Sequence, residues 1–165
     1  FQPGDHIICG EDLYGGAVRL LEQVCRKNGY EVEFADTTDL DALKAALKEN
    51  TRAIYFETPT NPMMHITDIR AVAELAHQAG ALVIVDNTFM TPYFQNPLKE
   101  GADVVVHSGT KYLSGHNDTV CGFLCSGNQE LADRFRLLHG RDSGTIRKLA
   151  LSAGTEDSGS SHGAP

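Results

Sequence analysis

Two apolar runs in this chain, Leu82-Val83-Ile84-Val85 and Val104-Val105-Val106, contain no polar residue at all. Runs of this length, bounded by Gly and polar residues, predict strands buried on both faces, which occur where helices cover both sides of a parallel sheet. The rest of the sequence fits that frame. Apolar runs at His6–Cys9, Glu31–Phe34, Ala53–Phe56 and Val120–Cys125 alternate with amphipathic stretches at Gly15–Lys27, Leu40–Lys48, Thr67–His77 and Gln129–Leu138. Asp39 and Thr67 are placed as helix N-caps, and Gly80 just past a helix end. Leu40, Leu43 and Leu47 are expected on one face of the second helix, and Ile69, Val72, Ala73 and Ala76 on the inner face of the third. Strand–helix alternation of this kind gives an α/β fold with a mostly parallel central sheet flanked by helices.

Charge and composition then remove whole classes of function. The formal charge of −8 over 165 residues leaves no basic patch to neutralise a nucleic acid. No apolar run approaches the roughly 18 residues that a bilayer span needs, and the start at Phe1-Gln2-Pro3-Gly4 has neither a secretion signal nor an initiator Met. A cytoplasmic chain, cut from a longer protein, is expected. Cys9, Cys25, Cys121 and Cys125 fall at apolar positions and are expected to be buried free thiols. Cys121 and Cys125 share a strand face, but no Cys-x-x-Cys or His-x-x-x-His pair accompanies them, so no metal site is expected.

In an open α/β sheet, ligands bind beyond the carboxyl ends of the strands. The polar residues that follow strands here are Glu57, Asp86 and the stretch Ser108-Gly109-Thr110-Lys111. Hydroxyls and backbone N–H groups at a strand end suit a phosphate, which presents only acceptors. Lys111 beside it would pair with the phosphate or act as a nucleophilic amine. Alone, Ser-x-Thr-Lys also reads as a strand-end turn with a solvated lysine. Asp86 ends a fully apolar strand, where an unpartnered carboxylate is costly. It either caps a turn together with Asn87 or faces a cation, and the pyridinium nitrogen of pyridoxal phosphate meets the second requirement. Thr88 stands where it can pack on one face of a flat ring. Tyr14, followed by Gly15-Gly16, can stack on the other face and exchange a proton, or is an ordinary loop tyrosine. Asn61 stands between Pro59 and Pro62 in a rigid turn and can offer its amide to a phenolate oxygen.

Taken in order, Tyr14-Gly15-Gly16, Glu57-Thr58-Pro59-Thr60-Asn61-Pro62, Val85-Asp86-Asn87-Thr88-Phe89 and His107-Ser108-Gly109-Thr110-Lys111-Tyr112-Leu113-Ser114-Gly115-His116-Asn117-Asp118 resemble the Cys/Met-metabolism (trans-sulfuration) family of pyridoxal-phosphate enzymes. The similarity runs from the first residues to about Leu138. It implies the large cofactor-binding domain of a fold-type I enzyme over residues 1–140, truncated at both ends. It further implies Lys111 as the Schiff-base lysine and proton shuttle, Asp86 on the pyridine nitrogen and Tyr14 on the ring. Thr88 would pack on the ring, Ser108 and Thr110 would hold the phosphate, and Asn61 would lie near the phenolate oxygen. The implied activity is γ-replacement or γ-elimination on cystathionine or a homoserine ester. A β-lyase is the alternative within the family, and a non-catalytic fragment that keeps the motifs is the alternative outside it. The substrate is a small amino acid, and the complete enzyme is expected to be a homotetramer built of dimers with shared active sites.

Residues 141–165 are rich in Gly, Ser and charge and show no core pattern. They are expected to be a disordered or frame-shifted tail without site residues. Read from the second base of each permitted codon, residues 141–158 yield a segment resembling the family's at this point. The nucleotide sequence is expected to show it; codons that give no such segment in the shifted frame would remove the idea.

Overall fold

The structure is a computed structural model that describes residues 1–139; the tail expected at 141–165 lies outside the described residues. Six strands form one sheet in the order β2-β1-β3-β4-β5-β6. They are β1 (His6–Gly10), β2 (Glu31–Ala35), β3 (Thr51–Glu57), β4 (Leu82–Asp86), β5 (Val104–Ser108) and β6 (Gly122–Cys125). All neighbours are parallel except β5 and β6, which pair antiparallel. The parallel crossovers carry helices α1 (Gly15–Arg19), α2 (Leu40–Ala46) and α3 (Ile69–Gln78). A short α4 (Thr91–Phe94) follows β4, and α5 (Gln129–His139) follows β6. Among the described residues no helix is long and apolar enough to cross a membrane.

The two sheet faces are covered unequally, and that inequality positions the site. On one face, α2 and α3 bury Leu43, Ala46, Ile69, Val72 and Ala76 against Ile54, Phe56, Val83, Val85 and Val105. Phe56 is completely buried there, a side chain worth roughly 1.5–3 kcal/mol relative to exposure. On the other face, α1 and its continuation pack Leu13, Val18 and Leu21 against Ile7, Cys9 and Ala53. That cover reaches Leu82 and Ile84 of β4 only in part and does not extend over β5. Leu82, Ile84, Asp86, Val106 and Ser108 are therefore only half-buried, in alternation with buried neighbours. The expectation that the runs at 82–85 and 104–106 are buried on both faces holds in full on one face; on the other, Val104 is buried and Leu82, Ile84 and Val106 are only half-buried.

Several local expectations are corrected. Asp39 does cap α2, accepting from the N–H groups of Asp41 and Ala42, but the helix ends at Ala46. Leu47 is extended and Leu40 is exposed, leaving Leu43 as the inward leucine of the helix. Asp68, not Thr67, caps α3 by accepting from Ala71 N–H. A carboxylate one residue nearer the helix outcompetes a hydroxyl that is already committed, since Thr67 Oγ1 bonds Thr37 Oγ1 at 2.8 Å. Helix α1 widens into a π-wound segment at Leu20–Cys25 and tightens at Arg26–Asn28 before Gly29 reverses the chain. The last strand begins at Gly122 and leaves Val120 exposed, because Cys121 gives its backbone to Thr110 and not to a strand ladder. All four cysteines are free, but only Cys9 is fully buried, and burial pushes its thiol up to about 12.

Candidate functional site

The strand ends of β3, β4 and β5, with the loop after β1, enclose an open cavity of about 930 Å³. Its walls carry Tyr14, Asn61, Asp86, Thr88, Ser108, Thr110 and Lys111, so every site residue expected from the sequence comes to one place. The uncovered half of the sheet is what leaves room for it. The floor is braced from beneath. Asn87 is completely buried, and its Nδ2 donates to the carbonyls of Thr91 and Gln95. Gln95 Nε2 in turn donates to Asn87 Oδ1 and to the carbonyl of Thr58. This network locks the ends of β3 and β4 to each other.

Asp86 caps its own turn with one oxygen and lines the cavity as well. Its Oδ1 accepts from both the backbone N–H (2.9 Å) and the hydroxyl of Thr88, and Thr88 Oγ1 accepts from Ser108 N–H at 2.8 Å. The Thr88 hydroxyl thus ties the β4 end to the β5 end and points one carboxylate oxygen away from solvent competition. Asp86 Oδ2 makes no hydrogen bond among the described residues, so a donor arriving in the cavity finds an open acceptor.

The chain then turns sharply at Gly109–Leu113. Within that turn Lys111 has φ −91° and ψ −121°, outside helical geometry, which puts a kink under the lysine. Lys111 is exposed on the cavity wall and makes no ion pair among the described residues. Thr110 is more committed than the sequence implies. Its hydroxyl donates to the Cys121 carbonyl (3.3 Å) and accepts from Cys121 N–H (3.1 Å). A hydroxyl has one proton, so Ser108, whose Oγ has no protein partner among the described residues, is the hydroxyl with a donor to spare. Gly109 is required by packing: a Cβ there would stand 2.5 Å from both Cys121 Sγ and the Phe123 ring. We expect Gly109→Ala to destabilise the chain by about 1–3 kcal/mol, as overpacking does, read as a lower urea midpoint at unchanged slope.

Tyr14 is 60% exposed, with its ring over Gly16, where any side chain would collide with it. Asn61 is exposed on the same wall. Two further residues belong to the site, although the sequence assigns them no role. Glu57 is buried and accepts from Tyr14 N–H at 2.7 Å. Desolvation, with Asp86 and Asp12 adding to it, pushes its carboxyl up to about 7. Its signal in the sequence is the one that exposed Asp86, a carboxylate ending an apolar strand, and the two are register partners in the sheet. His107 is buried with Nδ1 unpartnered, and burial lowers its pKa. Its place just before the Ser108–Lys111 stretch carries no mark of that burial.

Chemically, the cavity offers a free primary amine, a carboxylate with one open oxygen, an unclaimed hydroxyl, an exposed phenol and an exposed amide. Pyridoxal phosphate presents the complementary set: an aldehyde, a ring nitrogen, a phosphate, a flat face and a phenolate.

Comparison with known proteins agrees with that fit. The family model described as Cys/Met metabolism PLP-dependent enzyme matches residues 1–160. Cystathionine gamma-lyase of Bacillus subtilis is 45% identical over 146 residues, covering 88% of this chain and 38% of the relative. Cystathionine beta-lyase of Lactococcus lactis subsp. cremoris is 49% identical over 138 residues, covering 84% of this chain and 36% of the relative. Among solved structures, cystathionine gamma-lyase from Lactobacillus plantarum complexed with L-serine superposes with a TM-score of 0.80 at 48% identity, over 81% of this chain and 35% of that one. The metB protein from Corynebacterium glutamicum gives 0.83 at 47%, over 85% and 36%. The chain therefore spans little more than a third of the length of the relatives it matches. With the strand order, the cavity and its residues already in place, the match over residues 1–160 makes this chain a member of the Cys/Met metabolism family of PLP-dependent enzymes.

Proposed function

We propose that this chain is the cofactor-binding core of a trans-sulfuration enzyme that works by γ-elimination or γ-replacement on cystathionine or a homoserine ester. The observation that carries the reading is the convergence of Lys111, Asp86, Ser108 and Tyr14 on one cavity at the strand ends. Pyridoxal phosphate, when bound, supplies an electron sink for a carbanion at the substrate Cα. The roles of the chain's own residues follow from their chemistry. Lys111 Nζ would hold the cofactor and would take the proton from the substrate Cα. Asp86 Oδ2 would keep a proton on the pyridine nitrogen. Ser108 Oγ would donate to the phosphate, and Thr110 Oγ1 would do so on giving up its bond to the Cys121 carbonyl. Tyr14 covers the ring face, Thr88 holds Asp86 in place beside it, and Asn61 donates to the phenolate oxygen.

A second reading has specific support: a relative named cystathionine beta-lyase matches at 49% identity, and β-elimination needs the same residues with one proton transfer fewer. In either case the complete enzyme is read as a cytoplasmic homotetramer of dimers. The test begins with the chain itself. Pyridoxal phosphate is added, the visible spectrum is recorded, and borohydride is applied. A visible band that borohydride abolishes is the expected result. A chain that is folded but develops no band is the non-catalytic alternative.

A further inference from the structure

Tyr14 is held in place by little. Its side chain has no hydrogen bond among the described residues, and helix α1, which it opens, has no side-chain cap. Two features fix the ring. One is the bare backbone of Gly16, which leaves space for it. The other is the 2.7 Å bond from Tyr14 N–H to Glu57 Oε1, which reaches across 43 residues from the end of β3. Glu57 is only 7% exposed, yet it lines the cavity that Tyr14, Asp86 and Lys111 share.

We propose that Glu57 is a positioning residue of the cofactor site, whose carboxyl fixes the Tyr14–Gly16 turn and with it the phenol ring over the cavity. The inference rests on the cofactor reading given above. Burying a carboxylate without a cation is expensive, and a neutral side chain would be the cheaper occupant of this position if shape alone mattered. The bond to a backbone N–H is what the carboxyl gains, and such a bond is stronger when the acceptor is ionised. Its neighbours set when that happens. Asp86 faces it from β4 and Asp12 from the loop after β1. Glu11, Asp36 and His65 line the small pocket on its far side, and His107 and Lys111 line the cavity with it. The carboxylates oppose ionisation and the bond from Tyr14 N–H favours it. With burial dominating, ionisation falls near neutrality, so the grip on Tyr14 tightens as pH rises through about 7.

The experiment uses the full chain and begins without cofactor. The Tyr14 amide proton resonance is followed from pH 5 to 9 in the parent, in Glu57→Gln and in Glu57→Ala. Glutamine keeps an oxygen for the Tyr14 N–H but has no charge to gain, whereas alanine has no acceptor. A downfield titration in the parent, flat in Glu57→Gln, is expected; no titration in the parent, or the same one in Glu57→Gln, overturns the proposal. Capture of pyridoxal phosphate is then measured for each. Glu57→Gln, which keeps an acceptor but loses the charge, is expected to weaken capture less than Glu57→Ala, which is expected to weaken it about tenfold, the scale of a lost charge-assisted hydrogen bond. Capture by a folded Glu57→Ala chain at parental affinity also overturns it. If Glu57→Ala does not fold, the titration and the Glu57→Gln arm decide alone. A parent chain that takes up no cofactor at Lys111 refutes the cofactor reading instead, while the amide titration still reports on the bond.

Discussion

Replacing Lys111 with alanine is expected to abolish covalent capture of pyridoxal phosphate, with no trace of the borohydride-fixed adduct that the parent chain carries at that residue. The effect is all-or-none because no other described lysine shares the cavity. Lys48 is paired to Glu33 at 2.7 Å beside β2, near the end of the sheet where β1 begins, and Lys99 lies in the turn before β5. Lys27 and Lys44 sit on helical segments away from the strand ends. Only Lys111 stands on the cavity wall, on backbone bent out of helical geometry and braced by the Ser114 hydroxyl, which donates to the carbonyl of Thr110. Peptide mapping of the reduced parent checks the assignment directly. An adduct on Lys27 or Lys99, with Lys111 unmodified, would refute it.

Much of this site is legible in the sequence because strand ends are legible. Asp86 and Lys111 follow apolar runs that can be little but strands, and the rule that ligands gather at carboxyl ends brings them together before any coordinates exist. Hydrogen-bond partners are a different matter, since they depend on which groups arrive from elsewhere in the chain. Thr110 looks like a free phosphate ligand until Cys121, eleven residues on, occupies its hydroxyl. Thr67 looks like a helix cap until Thr37, thirty residues earlier, claims its oxygen. Glu57 stands in the motif unexplained until Tyr14 arrives from the first loop. Face coverage fails for a related reason. An apolar strand states that both its faces avoid water, but not which helix covers them, and among the described residues only α1 and its continuation lie over the cavity side.

Asp86→Asn, in a complete enzyme carrying this core, is expected to slow carbanion formation about a hundredfold while leaving cofactor attachment nearly intact. The substitution is narrow by design. An asparagine carbonyl can still accept from Thr88 N–H and from its hydroxyl, so the link from β4 through Thr88 to Ser108 N–H survives and the cavity keeps its shape. What disappears is the negative charge at the open oxygen. The electron sink depends on the ring nitrogen staying protonated, and a neutral amide does not hold that proton as a carboxylate does. The charge matters more as the carbanion develops than in the ground state, so its loss falls on the rate and spares binding. Removing one preorganised electrostatic contact of this kind costs about 3 kcal/mol. Attachment at Lys111 Nζ needs the amine and the aldehyde, not the ring charge, and the borohydride adduct should form at close to parental yield. Measuring that yield beside the rate of α-proton exchange separates the two effects. A rate within a factor of about two of the parent, at full cofactor occupancy, would remove Asp86 from the role; a matched loss of attachment and rate would make it a structural residue of the β4 end.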